Sequence, residues 1–242
     1  MVSVSPWLVA VGLNTCLGAI AWVLPRKVLT SAGIIHAWGL GILIWGCLGW
    51  QGYSVIFAYL ILGSAVTRLG KSRKEAQGIA EKRDGARGPE NLWGSAFTGA
   101  VCAVGCQIFP HPLWLLGYVA SLSTKLADTT ASEIGKAYGK TTFLITSFQP
   151  VAAGTEGAVS LEGTLAGIGG AVILSAIGVA VGLVDWPLGW LWCIVAAVIA
   201  TNIESLIGAT LQSRWQWLTN EVVNGINTTL GAAIAVGLTL WV

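Results

Sequence analysis

The chain has 242 residues, of which 55% are hydrophobic and 10% are charged, and its mean hydropathy is +0.74. Soluble domains carry about 25% charged residues, so this composition excludes an ordinary soluble protein and predicts an integral membrane protein. The 13 Lys and Arg residues against 11 Asp and Glu residues leave a net charge of +2, without the basic surface that nucleic-acid binding needs. The five cysteines and two histidines are too scattered for a zinc site.

Apolar segments recur along the whole chain. A spanning helix needs about 20 mostly apolar residues. This criterion predicts an all-α, polytopic bundle of about eight transmembrane helices that forms one domain over residues 1–242. The predicted spans are approximately 5–24, 33–50, 53–69, 93–109, 112–127, 163–184, 187–211 and 226–242. Longer connections are expected at about 70–92, 128–162 and 212–225.

The basic residues predict the orientation, because Lys and Arg are retained on the cytoplasmic side. With eight spans and the N-terminus on the opposite side, all 13 basic residues, including Arg26 and Lys27, fall in or beside cytoplasmic connections. Nearly all acidic residues fall there too, and Asp185 is the exception. We therefore expect the chemistry at the cytoplasmic face. The absence of an Arg- and Ser-rich leader favours a bacterial membrane.

The densest polar segment covers residues 123–142. If this segment is helical, one stripe carries Asp128, Ala131, Gly135 and Gly139. A carboxylate followed by small residues lets a nucleotide and its metal approach the backbone. Glu133 lies about 140° around such a helix from Asp128, so one regular helix does not bring both to one metal. The neighbouring side chains expected to contact phosphates are Ser132, Lys136 and Lys140.

A second polar segment, 151–164, is rich in Gly, Thr and Glu. Backbone amides beside Gly154 and Gly157, together with the Thr155 hydroxyl, are suited to phosphate oxygens, and the Glu156 carboxylate is suited to Mg²⁺. The alternative is a re-entrant or capping loop that leads into the glycine-rich face of the next helix.

Two further groups complete the predicted polar face. An acid at membrane depth is a functional candidate, and Glu204 has this position near the end of the seventh span. The amides and hydroxyl expected to face a polar ligand with it are Asn202, Ser205, Gln212, Asn220 and Asn224. In the 70–92 connection, Arg87 with Asn91 is predicted to bind either the triphosphate or a lipid phosphate, since the guanidinium fork matches phosphate oxygens.

Four ordered motifs carry a family resemblance over about residues 30–240. They are DTTASEIG at 128–135, PVAAGTEGAVSLEGT at 150–164, ESLIGATLQ at 204–212 and TNEVVN at 219–224. The chain resembles the membrane family of phytyl-phosphate kinases from cyanobacteria and chloroplasts. This resemblance implies a cyanobacterial membrane enzyme that phosphorylates phytyl phosphate to phytyl diphosphate for tocopherol and prenylquinone synthesis.

The chain is more distantly similar to the CTP-dependent kinases of dolichol and phytol. This resemblance implies CTP as the nucleotide. Those kinases carry paired lysines where this chain has Ala153 and Gly154, so other nucleoside triphosphates stay open. The expected reaction is in-line transfer of the γ-phosphoryl group to an isoprenoid monophosphate, which depends on positioning and charge neutralisation.

In this reaction the predicted metal ligands for Mg²⁺ are Asp128, Glu156 and Glu204, and the predicted catalytic residues are Asp128, Glu133 and Glu156. Three other activities stay open. A phytol or polyprenol kinase would phosphorylate the free alcohol and would need a base near the hydroxyl. A nucleotidyltransferase would form a CDP-lipid. A transporter would require ionisable residues near mid-bilayer or inverted half-repeats.

Overall fold

The computed structural model describes residues 5–24 and 28–242, so Arg26 and Lys27 lie outside the described residues. The helices are α1 Pro6–Val23, α2 Ser31–Arg68, α3 Lys71–Ala76, α4 Pro89–Ile108, α5 Pro112–Tyr138, α6 Leu161–Ala180, α7 Leu188–Ile207 and α8 Asn220–Trp241. Two short antiparallel strands, β1 Phe143–Leu144 and β2 Ala158–Val159, pair in the connection between α5 and α6. The predicted all-α fold class is confirmed.

The long element α2 is a pair of helical segments that meet at Gly49. This glycine has φ 63° and ψ −160°, a backbone conformation that residues with a side chain rarely adopt. Trp45 and Tyr53, on either side of it, pack ring against ring with centroids 5.3 Å apart. Gly33 and Gly63, near opposite ends of α2, both lie against Arg87. The chain therefore reverses at Gly49, and two helices occupy the places predicted for spans 33–50 and 53–69.

Five described helices are long and apolar enough to cross a membrane by length and composition: α1, α2, α6, α7 with its extension to Gln212, and α8. The extension is a short π-helical turn, Gly208–Gln212. α4 and α5 have 20 and 27 residues and carry more polar side chains. With α2 counted as two segments, each of the eight predicted spans corresponds to a helix.

The predicted loop 128–162 is shorter than expected because α5 continues to Tyr138. Its last turns pack closely against the beginning of α6. A Cβ atom at Gly163 would lie 2.6 Å from the Ala131 carbonyl oxygen, and Gly135 lies against the Gly163 Cα. Small residues allow two helix backbones to approach in this way. Ala131 and Gly135 therefore pack against α6, whereas the sequence alone predicts that they let a ligand approach the backbone.

α5 is the central helix of the bundle. It contacts α2, α4, α6, α7 and α8, and its side chains at Tyr118, Val119 and Leu122 are fully buried. The Tyr118 hydroxyl donates to the Gly52 carbonyl oxygen at 2.7 Å, so this buried polar group is satisfied. Because α5 is buried at its centre and polar at its C-terminal end, it carries the polar residues 125–136 to one end of the bundle.

The α5–α6 contact gives a stability prediction. We expect Gly163→Ala to lower the midpoint of thermal unfolding in detergent, because the added methyl group overlaps the backbone of α5, at a cost of about 1–3 kcal/mol. Gly169→Ala is the matched control in the same helix, since a Cβ atom there meets nothing within 4 Å. Equal midpoints for the two variants would contradict this account of the interface.

Candidate functional site

A cavity of about 590 Å³ lies at the end of the bundle where α5 stops and α6 begins. Its walls come from α2, α4, α5, α6, α7 and α8 and from the connections that precede α4 and α6. The predicted site residues that line it are Arg87, Asn91, Asp128, Ser132, Glu133, Gly135, Lys136, Gly154, Thr155, Glu156, Gly157, Asn202, Glu204, Ser205, Gln212, Asn220 and Asn224. Four motifs that are far apart in the sequence thus meet around one space.

Gly139 and Lys140 do not line this cavity. They border a separate hollow with Arg73 and Tyr138. Gly139 follows the last residue of α5, and a Cβ atom there would lie 3.0 Å from the Ser160 Oγ. Their position therefore does not support the prediction that these two residues contact the nucleotide. The helix ends at Tyr138, so Gly139 and Lys140 do not continue the face of α5 that carries Asp128.

Two carboxyl groups meet in the cavity. The Asp128 and Glu204 side chains, from α5 and α7, lie within hydrogen-bonding distance of each other. Lys125 Nζ donates to Asp128 Oδ2 and, at 2.7 Å, to Asn224 Oδ1. Asn227 Nδ2 donates to Glu204 Oε2. One ammonium group therefore faces two carboxyl groups, which leaves acidic oxygen atoms for a further cation.

Glu156 approaches this pair from the connection before α6. The turn that carries it has positive φ at Gly154 and Gly157, 84° and 76°. Gly157 packs on the end of α7, where a Cβ atom would lie 2.7 Å from the Ser205 carbonyl oxygen. Both glycines are thus required by the backbone, and they bring Glu156 close enough to act electrostatically on Glu204.

The donor set fits Mg²⁺ that enters together with phosphate groups. Among the residues that the structure describes, no three His, Cys, Asp or Glu side chains are grouped closely enough to hold a metal ion by themselves. Mg²⁺ in nucleotide sites usually takes one or two carboxylates and completes its coordination with phosphates and water. Asp128 and Glu204 meet that requirement as a contacting pair, and Glu156 is the additional predicted ligand on the cavity wall.

Glu133 has a different environment from Asp128. Its side chain is 2% exposed and forms a salt bridge with Lys74 of α3, whose Nζ also donates to the Thr67 carbonyl oxygen at 2.7 Å. α5 is a continuous helix, so the 140° separation expected from the sequence holds and directs Glu133 away from the carboxyl pair. The position of Glu133 favours a structural ion pair over the predicted catalytic role.

The amide and hydroxyl side chains form a polar wall along α7 and α8. Gln212 Nε2 donates to Asn220 Oδ1, which joins the end of α7 to the beginning of α8. Asn202 and Ser205 donate to carbonyl oxygens of their own helix, at 2.8 and 3.2 Å. Lys136 faces Glu81 at 3.6 Å across the cavity rim.

Exposed ion pairs order the connection between α2 and α4 at the rim. Asp84 accepts a hydrogen bond from Lys71, which raises the pKa of that ammonium group. Arg83 donates to Glu90 at the start of α4, which lowers the pKa of that carboxyl group. Exposed pairs of this kind contribute little to stability. Their effect is to hold the connection beside the cavity.

Sequence reasoning missed Lys125 and Tyr59. Lys125 is 6% exposed and sits three residues before Asp128, inside a predicted span. A lysine at that depth is itself a functional signal, so Lys125 could have been found. Tyr59 gives no such signal, because a single tyrosine in an apolar helix is typical of a buried core residue. Its position becomes informative only through Arg87, whose Nη1 donates to the Tyr59 hydroxyl oxygen at 2.6 Å.

Comparison with known proteins identifies the family. Residues 14–232 match the integral membrane protein family DUF92. The chain belongs to this family. The DUF92 chain is 63% identical over 236 residues to an uncharacterized membrane protein of Synechocystis sp., covering 96% of this chain and 91% of that protein. The predicted integral membrane class is therefore confirmed.

Two more distant relatives extend the DUF92 comparison. Protein VTE6, chloroplastic, of Arabidopsis thaliana is 44% identical over 243 residues, which cover 97% of this chain and 72% of that protein. An uncharacterized membrane protein of Methanocaldococcus jannaschii is 31% identical over 211 residues, covering 87% and 85%. No solved structure matches the chain. The predicted resemblance to a membrane family of cyanobacteria and chloroplasts agrees with the first two relatives.

The Lys74–Glu133 pair gives a second prediction. We expect Lys74→Met and Glu133→Leu, made singly, each to lower the unfolding midpoint in detergent, because each leaves a buried charge without its closest partner at a cost of about 3–5 kcal/mol. The double variant should recover most of the loss, since it removes both charges. A double variant as unstable as the worse single variant would show that the pair has no such role.

Proposed function

We propose that this DUF92 protein is a phytyl-phosphate kinase. It transfers the γ-phosphoryl group of a nucleoside triphosphate to phytyl phosphate, and the phytyl diphosphate product serves tocopherol and prenylquinone synthesis. The observation that carries the proposal is the convergence of all four kinase-like motifs on one cavity. There the contacting carboxyl groups of Asp128 and Glu204 lie beside Lys125 and share the cavity with Arg87.

The relationship to Protein VTE6, chloroplastic, supports the same activity. It extends over 97% of this chain, so it includes every segment that lines the cavity. The sorting of basic residues in the sequence supports a cytoplasmic position for this end of the bundle. Nucleotide from the cytoplasm and a lipid held in the bilayer would then reach the cavity from different directions.

The cavity supplies the groups that phosphoryl transfer needs. Asp128 and Glu204 would hold Mg²⁺, which neutralises charge on the nucleotide phosphates. The turn at residues 154–157 lines the cavity, and the backbone amides of Gly154, Glu156 and Gly157 would bind phosphate oxygens. The Thr155 N–H and hydroxyl both donate to the Ala152 carbonyl oxygen, at 3.2 and 2.8 Å, so they stabilise the turn. Lys136 at the rim adds positive charge. These residues position the triphosphate with its γ-phosphoryl group toward the interior of the cavity.

The acceptor needs no strong base. A phosphate monoester has its second pKa near 6, so it is largely ionised at neutral pH. One of its oxygens forms the new bond to the γ-phosphorus. The bond from that phosphorus to the oxygen that bridges to the β-phosphate breaks, and its electron pair leaves with the nucleoside diphosphate. The absence of His36 and His111 from the cavity lining agrees with this chemistry.

Replacement of the carboxyl pair tests the proposed site. We expect Asp128→Asn and Glu204→Gln each to lower kcat for labelled-phosphate transfer to phytyl phosphate by roughly 100-fold, because each removes a charge that positions the metal. Asp185→Asn is the matched control, since Asp185 lies in the connection between α6 and α7, outside the cavity lining, and caps Gly189. Asp128→Asn with wild-type transfer would overturn the assignment.

Product analysis tests the reaction itself. With CTP, ATP, GTP and UTP supplied in turn, we expect phytyl phosphate to yield phytyl diphosphate and a nucleoside diphosphate. Chelation of divalent cations should stop the transfer, and added Mg²⁺ should restore it, since the carboxyl pair requires a cation to bind phosphates. Transfer to phytol instead would identify an alcohol kinase. Release of pyrophosphate with phosphatidate as acceptor would identify a CDP-lipid nucleotidyltransferase.

A further inference from the structure

The ionisable residues that line the cavity form two groups of opposite charge. Asp128, Glu204 and Glu156 form the acidic wall. We call the second group the basic wall, and it is made of Arg87, Lys125 and Tyr59. Arg87 Cζ lies 5.0 Å from the centre of the Tyr59 ring. The two walls meet where Lys125 forms its salt bridge with Asp128.

Arg87 differs from the other cations around the cavity in its partners. Lys125, Lys136 and Arg83 each form a salt bridge with a carboxylate. Arg87 forms none with any Asp or Glu in the described part of the chain; its guanidinium instead donates to Tyr59. A half-buried cation that lacks an anionic partner favours the binding of an anion. A guanidinium has five N–H donors, so its fork retains donors for two phosphate oxygens.

The surrounding backbone holds Arg87 in place and leaves space for its side chain. A Cβ atom at Gly63 would lie 2.5 Å from Arg87 Nη2, so a side chain there would push the guanidinium from this position. The Arg87 backbone N–H donates to the Val28 carbonyl oxygen at 3.0 Å, and its carbonyl oxygen accepts from Thr30 at 3.0 Å. Arg87 is thus held from both sides in a defined position, as a residue that orients a ligand requires.

The basic wall lies deeper along the bundle than the nucleotide-facing loop. Tyr59 and Lys125 fall inside the predicted spans 53–69 and 112–127, and the Arg87 side chain reaches Tyr59 from the connection before α4. Glu156 belongs to the connection before α6. Lys125 is three residues before Asp128 on α5, or about 4.5 Å farther into the bundle. A phosphate attached to a bilayer-embedded chain approaches from that side. The triphosphate of a soluble nucleotide approaches from the loops.

From these observations we infer that Arg87, Lys125 and Tyr59 form the subsite for the acceptor phosphate. This inference rests on the proposed kinase function. It makes the basic wall a specificity determinant, because two cations that line the same cavity favour a phosphate monoester over the uncharged alcohol. Tyr59 acts as a positioning residue that directs the Arg87 fork.

The test measures binding without turnover. Wild-type protein in detergent is titrated with phytyl phosphate, with phytol and with nucleotide plus Mg²⁺, each alone, and ligand affinity is obtained from the shift in unfolding midpoint. We expect Arg87→Gln to weaken phytyl phosphate binding by about 10- to 100-fold and to change nucleotide affinity by less than about threefold, since a charge-assisted hydrogen bond is lost. Arg87→Lys should recover part of the affinity, and Tyr59→Phe should give a smaller loss.

Arg73→Gln is the matched control. Arg73 also lies over a tyrosine, with its Cζ 5.4 Å from the Tyr138 ring centre, and donates a hydrogen bond, but it is outside the cavity. This variant should bind phytyl phosphate as wild type does. Weakened nucleotide binding with unchanged phytyl phosphate binding in Arg87→Gln would overturn the inference and assign the basic wall to the nucleotide. Equal loss of phytol and phytyl phosphate would also overturn it, because a phosphate subsite does not act on the alcohol.

The outcome for the subsite is separable from the outcome for the proposed function. If phytyl phosphate binds through Arg87 but receives no labelled phosphate from any nucleotide, the kinase proposal fails and the phosphate subsite stands. If transfer occurs and its KM for phytyl phosphate is unchanged in Arg87→Gln, the kinase proposal stands and the subsite inference fails.

Discussion

The structure depends on the high cost of an unpaired charge inside a helical bundle. Ions removed from water need a partner and further hydrogen bonds, or the folded state loses several kcal/mol. α5 carries two such pairs within ten residues of chain, Lys125 with Asp128 and Glu133 with Lys74. The first pair opens onto the cavity and contacts Glu204. The second is closed by α3, so one helix provides both a wall of the cavity and the ion pair behind it.

The close packing of α5 and α6 follows from the same requirement. Glycines at 163, 167 and 170 bring α6 against the backbone and small side chains of α5 over residues 126–135. This contact forms the rear wall of the site. The front of the site is left to α7, α8 and the glycine-flanked turn around Glu156. A closely packed rear wall and a loop at the front agree with the proposed entry of a soluble nucleotide from the loop side.

Much of this arrangement was accessible from the sequence, and the exceptions have physical causes. The eight helical segments follow from apolar length, and the joint position of Asp128, Glu156, Glu204 and Arg87 follows from one-sided polarity. The predicted end of the fifth span at residue 127 is too early. Residues 128–138 are polar, which is typical of a loop, and their helical structure depends on packing against α6. Gly139 and Lys140 are predicted to contact the nucleotide because helical spacing indicates which face a residue occupies. That spacing does not indicate the residue at which the helix ends, which is Tyr138. Tyr59 was missed because its partner, Arg87, is distant in sequence.

The backbone pairing of Arg87 ties the connection before α4 to both ends of α2. Its amide and carbonyl groups bond to Val28 and Thr30, at the entrance to α2, and its side chain reaches Tyr59 and Gly63 near the end of α2. Both halves of the α2 hairpin therefore contribute to the position of one guanidinium group. A substitution that shifts one half of the hairpin against the other would displace that group without altering Arg87 itself.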